Sequence, residues 1–398
     1  MDVAHAENIG NGKKVKRFFL LLPVVALASL LVAPLASVAH ADGGAPNVAY
    51  VAGTDAGISV IDVSQQTVVR TIKTDGKPGT ILLSNDARFL YVAEPEQNQV
   101  VVIGAKDGNT ICIADVPGKP TLLALDLNAN SYTLFAAGNG AATVQAIDPT
   151  GCKIKHTYQV GGAVYGLAVA QVGSGINGSN GSQLWVADAT ALTYFDDVKQ
   201  AKLGSIVVPG GPQYISIPPG ETVYATTRMG GVIALDLNGQ RIVPLVTGGP
   251  FGAMDYDAST GEVYVPDTAK NQLIVLKPVN QGSPLLHQPG HVVDLKGAQP
   301  ASIAITSDGQ LGFAALTNGT VAMIDIPGRG ILQTIHVGGS PTFIITGLYP
   351  PALGTTPEQA SIFTILLNIG AYALVIGVFV VPIVLFRRFA KDEKAKKR

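Results

Sequence analysis

An aromatic–Val–Ala-like triplet recurs along this chain at Tyr50, Tyr91, Phe135, Trp185, Tyr224, Tyr264 and Phe313, with spacings of 41, 44, 50, 39, 40 and 49 residues. Downstream of it comes an apolar run closing on an aspartate, as at Asp62, Asp148, Asp236 and Asp325. Gly-x-Pro turns punctuate the units at Gly76–Pro78, Gly118–Pro120, Gly210–Pro212, Gly248–Pro250 and Gly338–Pro341. From Ile58 to Glu94 the runs are Ile58–Val63, Thr67–Lys73, Thr80–Ser84 and Phe89–Ala93, parted by Ser-Gln-Gln, Asp-Gly-Lys-Pro-Gly and Asn-Asp-Ala. β-branched residues fill the runs and turn formers fill the gaps, so this is strand and turn without helix. A period of about 40–50 residues with four short strands per unit is a propeller blade. Seven triplets predict an all-β, seven-bladed β-propeller of four-stranded blades.

Labelling the strands of a blade a to d outward from the channel, the chain begins with a b strand (Asn47–Ala52), followed by c and d (Ile58–Val63, Thr67–Lys73). After the last d strand, Ile331–Val337, one a strand is left over, Thr342–Thr346, halted by Gly347, Tyr349, Pro350 and Pro351. Joining it to the first three strands closes the ring and removes two exposed edges.

Tyr91-Val92-Ala93, Val60-Ile61-Asp62, Val68–Ile72 and Gly76-Lys77-Pro78 resemble the YVTN-type repeat family of β-propellers, and the resemblance runs from Asn47 to about Gly347. It implies the fold. It does not choose a function, because propellers of this kind, lactonase-like relatives among them, serve as enzymes, binding platforms and surface scaffolds.

The chain is 47% hydrophobic and only 14% charged, and its two ends account for that imbalance. Residues 1–41 read as a secretory signal peptide: a basic cluster at Lys13–Arg17, an apolar run from Phe18 and a small-x-small cleavage site at Ala39-His40-Ala41. Residues 42–350 form the propeller and 351–361 a linker. The 25 residues Ile362–Phe386 make an apolar helix of about 38 Å, long enough to cross a bilayer with some tilt. A basic tail, 387–398, follows and by the positive-inside bias is cytoplasmic. The propeller is therefore expected outside a cell membrane, single-pass, at the periplasmic or extracellular side.

Between Asp42 and Pro350 stand 23 Asp and Glu against 16 Lys and Arg, a balance of −7. An acidic ectodomain speaks against nucleic acid and permits a cationic ligand, a protein partner or a divalent cation. The Gly-x-Pro turns and b–c loops share the face turned away from the membrane. The residue opening each b–c loop is a carboxylate at Glu94, Asp188 and Asp267, with Glu96 and Arg228 beside the equivalent positions. Three carboxylates at equivalent positions suggest an acidic ring at the channel mouth. Polar turns brought into register by the repeat are the alternative source of the same pattern.

Catalytic and cofactor motifs are missing: there is no C-x-x-C-H, H-E-x-x-H or G-x-S-x-G, and no cofactor is expected. His287 and His291 fall in a Pro/Gly insertion, while His156 and His336 lie in outer strands. Cys112 and Cys152 both read as d-strand residues of neighbouring blades, whose outer strands splay apart, so two buried free thiols are expected. The leading reading is a membrane-anchored, non-enzymatic binding or protein-interaction module. The alternatives are a lactonase-like hydrolase and an accessory subunit docking to a membrane electron-transfer complex.

Overall fold

The computed structural model describes residues 47–127, 132–171, 181–218, 222–236, 241–279 and 290–350. The expected signal peptide, linker, membrane span and tail lie outside them, as does His287.

Seven antiparallel sheets, each of four strands, follow one another along the chain. The first blade is composite: β1 (Val48–Thr54), β2 (Gly57–Asp62) and β3 (Thr67–Ile72) are joined on the inside by the last strand, β28 (Phe343–Gly347). Tyr50 pairs with Ile345 and Val51 with Ile344 in this closing ladder. The remaining blades run without interruption. The second spans β4 (Ile81–Leu83) to β7 (Thr110–Asp115), the third β8 (Pro120–Asp126) to β11 (Ile154–Gln159), and the fourth β12 (Gly166–Gln171) to β15 (Ala201–Val207). The fifth spans β16 (Pro212–Ser216) to β19 (Ile242–Thr247), the sixth β20 (Asp255–Tyr256) to β23 (His291–Asp294), and the seventh β24 (Pro300–Ile305) to β27 (Gly330–His336).

The repeated aromatic has one job in every blade. All seven lie on second strands and are buried to 1% exposure or less. Each enters a different hydrophobic cluster, and each cluster is packed between two consecutive blades: Tyr50 between the first and second, Tyr91 between the second and third, and so on round to Phe313 between the seventh and first. A flat blade cannot bury both faces alone, so the neighbour supplies the other half of its core. Truncating any one of these rings should cost about 3–5 kcal/mol, the range for a buried aromatic.

The recurrent aspartates at the ends of third strands tie the c–d turns. Asp62 Oδ1 accepts from Ser64 Oγ at 2.6 Å and from Gln65 N at 2.8 Å. Asp148 does the same with Thr150 N, and Asp196 with Lys199 N. Short acidic side chains accept local backbone donors at turns, which is why the repeat keeps them there.

The cysteines correct the sequence expectation. Cys112 and Cys152 form a disulfide, with Cα atoms 6.0 Å apart. Cys112 lies in β7 as expected, but Cys152 precedes β11 and occupies a left-handed turn position, φ 54°. From the turn its side chain reaches the core between the second and third blades, where Cys112 also packs. The splay of the outer strands therefore does not separate them.

Candidate functional site

The inner strands surround a central channel, and its Gly-x-Pro end opens into a cavity of about 440 Å³ to which every blade contributes. Thr80, Asn139, Tyr165, Gln213, Tyr214 and Phe343 are among its walls, with Leu167 and Met254 deeper in. Lys77 stands at its edge and is exposed. No carboxylate or imidazole stands among the described residues of the lining. Arg228 is exposed beside this mouth; its guanidinium lies 4.3 Å from the centroid of the Tyr165 ring and Nη2 donates to Ala189 O. That arrangement fixes both the cation and the phenol ring at the rim. A second recess on the same face, about 710 Å³, is lined by Asp55, Lys73, Lys77 and Glu96.

The structure separates the five residues singled out from the sequence into two groups. Glu96 and Arg228 are exposed. Glu94, Asp188 and Asp267 are each 2% exposed and are engaged inside their own hairpins. Glu94 accepts from Gln99 Nε2 at 2.7 Å and from Asp75 N at 3.3 Å. Asp188 Oδ1 accepts from Thr190 N and Ala191 N, and Oδ2 from Thr193 Oγ1. Asp267 accepts from Lys270 N and Gln272 Nε2, with Lys270 Nζ 3.9 Å away. The carboxylates do recur in register, and the physical reason is the turn: each folds back to satisfy donors of the b–c hairpin. A solvent-facing acidic ring is not what these three side chains form. Among the described residues no group of three His, Cys, Asp or Glu side chains is arranged to hold a metal ion. His291 opens β23 and is exposed.

One channel residue escaped the sequence reading. The inner strand of the sixth blade is reduced to the pair Asp255–Tyr256, and residues before it lean on the seventh blade: Ala253 bridges Ser302 in parallel, and Asp255 Oδ2 accepts from Ile305 N at 2.7 Å. Burial pushes the Asp255 carboxyl up to about 6, held back by the backbone donors of Ile305 and Tyr256. The signal was present in the sequence as Asp255 itself, since the equivalent inner-strand positions of the other blades are Leu82, Ala124, Ala168, Ser216, Ala304 and Ile345, none of them charged.

No family model matches the chain, and no curated protein matches it in sequence. Solved structures share its architecture. A functionally unknown protein from Desulfotomaculum acetoxidans aligns with a TM-score of 0.59 at 14% identity, over 77% of this chain and 100% of that one. The Cps50 (Swd1) β-propeller domain of Myceliophteria thermophila gives 0.57 at 14% identity, over 69% and 90%. Hydrazine synthase of Kuenenia stuttgartiensis gives 0.51 at 15% identity, over 71% and 95%. Such identities speak for the fold alone, and the fold is a seven-bladed β-propeller of four-stranded blades. The likeness to YVTN-type repeats stays a likeness of repeat pattern.

Proposed function

We propose that this chain is an exported, membrane-anchored propeller acting as a non-enzymatic binding module, and that it presents its Gly-x-Pro face to a protein partner. The observation that carries this reading is the mouth itself: a cavity framed by all the blades, walled by hydroxyl, amide, phenol and apolar side chains. A hydrolase needs an acid or base within reach of the bound substrate, and the described lining supplies none. The exposed charges around the mouth are mixed, with Asp55, Asp75 and Glu96 against Lys77 and Arg228. A pattern of both signs suits a polypeptide surface, whose charges it can complement and whose on-rate it can steer. Arg228 and Tyr165 are the anchors, a cation and a ring held rigid together. The buried Glu94 holds the hairpin that carries Glu96, and Asp188 holds the hairpin whose Ala189 O receives Arg228.

Capture of the tagged full chain from detergent extracts, compared with a Tyr165→Ala/Arg228→Glu variant, tests this reading. A partner that co-purifies with wild type and not with the variant supports it. A partner retained equally by both moves the binding surface elsewhere. The anchoring is tested separately by mass spectrometry of the mature N-terminus, expected at Asp42, and by protease access to a C-terminal tag in spheroplasts. Digestion of that tag from outside would overturn the topology.

A further inference from the structure

The inner-strand residue paired with the repeated aromatic marks one depth in every blade: Leu82, Ala124, Ala168, Ser216, Asp255, Ala304 and Ile345. The parallel bridge of Ala253 to Ser302 sets Asp255 level with Ala304 in the same way, and from there Asp255 Oδ2 accepts from the next residue's N–H, Ile305 N, at 2.7 Å. A carboxyl group thus stands in a ring that is otherwise aliphatic except for one hydroxyl. Asp255 is half-buried, follows the cavity-lining Met254 in the chain, and is held between the inner strands of the sixth and seventh blades.

The hydrogen bond to Ile305 N does not explain the charge. An amide at this position would accept from the same N–H and keep the two blades together. A carboxylate adds a negative charge whose removal from water is unfavourable unless a positive group answers it. Asp255 makes no ion pair with any described side chain. We infer that Asp255 is the counter-ion for an organic ammonium ligand that enters the channel from the Gly-x-Pro face.

The walls above it suit such a ligand. Met254 and Leu167 floor the cavity one step above the Asp255 level, and Tyr165, Tyr214 and Phe343 surround the space over them. Aromatic rings and a polarisable thioether accommodate both an apolar stem and an alkylammonium head. Met254 is the unbranched, adaptable side chain that must shift for the head to reach the carboxylate. A bare divalent ion is disfavoured at this depth because the ring offers one carboxylate and one hydroxyl where such an ion takes about six oxygens. Four residues of inner strand separate the rim from the Asp255 level, roughly 13 Å. A lysine side chain standing on the rim reaches about half that distance, so the fitting source is a free amine rather than a partner's lysine. This inference rests on the channel being a binding site, but not on a protein partner at the mouth.

The test is thermal unfolding of the full chain in detergent, with n-butylammonium chloride against sodium chloride at equal ionic strength. Wild type, Asp255→Asn and a rim variant, Tyr165→Ala/Arg228→Glu, are compared at pH 8 and pH 5. Butylammonium is expected to raise the wild-type midpoint at pH 8 and to have no specific effect at pH 5, where the carboxyl is protonated. Asp255→Asn, which keeps the acceptor for Ile305 N, should fold and lose the effect at both pH values. Equal shifts in wild type and Asp255→Asn, or no shift in wild type at pH 8, would overturn the assignment. A rim variant that loses its protein partner while keeping the ammonium shift supports both readings separately.

Discussion

Tyr158 Oη donates to Asp197 Oδ1 at 3.0 Å across the seam between the third and fourth blades, and both residues are buried. The phenol is held in place by edge contacts with Phe135, Phe195 and His156. Asp126, at the inner end of the third blade, hydrogen-bonds Asp197 and is itself bonded by Ser182 Oγ and Gln171 Nε2. The neighbouring Asp126 carboxyl therefore disfavours the charged form of Asp197, because like charges repel at close range.

That pair sets a pH dependence. Burial, and then the Asp126 carboxyl, push Asp197 from the ordinary 3.8 up to about 7, while Tyr158 and Lys155 oppose the rise; Asp196 is the further charge in this neighbourhood. The folded chain therefore holds the proton more tightly than the unfolded chain. The stability this gives is full below the unfolded value and is lost as pH rises through about 7. The unfolding midpoint should fall by a few degrees between pH 5 and pH 8. Asp197→Asn should flatten that part of the profile, and a profile unchanged by the substitution would remove Asp197 as its source.

Closure by β28 is tested by shortening the chain. A propeller ending at Val337 loses the inner strand of its first blade and leaves β1 unpaired on that side. It should aggregate or melt without cooperativity, whereas one ending at Pro350 should melt in a single transition. Edge strands without partners recruit other chains.

The disulfide links residues 40 apart, one repeat of the propeller. Loop-closure entropy for a ring of that size corresponds to about 3–4 kcal/mol. The double variant Cys112→Ser/Cys152→Ser should lose a comparable amount in denaturant titration, with little change in slope. Alkylation without prior reduction should leave the wild-type mass unchanged; uptake of label would mean that the thiols are free.

Gly204 lies beneath the Tyr194 ring, which stacks on Trp185 with centroids 4.5 Å apart. A Cβ at position 204 would stand 2.5 Å from Tyr194 Oη and 2.6 Å from its ring carbon Cζ. Gly204→Ala should tilt that ring and disturb the stack, at about 1–3 kcal/mol. The chain has one tryptophan, so the emission of Trp185 reads the change directly.

Much of this architecture was legible in the chain itself. Runs rich in β-branched residues, parted by turn formers, gave the strands, and the return of Tyr50, Tyr91 and their counterparts counted the blades. The unpaired run Thr342–Thr346 announced the closure. These are local patterns, and they survive without coordinates because each blade meets the same neighbour on each side. What tertiary structure alone decided depends on how side chains are aimed across the seams. Cys152 reaches Cys112 because it sits on a turn, and Asp197 meets Asp126 from 71 positions away. Glu94, Asp188 and Asp267 fold back into their hairpins although their spacing is equally compatible with an open ring. Asp255 stands apart for a related reason. Its charge could be read from the sequence, but its depth in the channel and its want of a cationic partner are properties of seven strands converging on one axis.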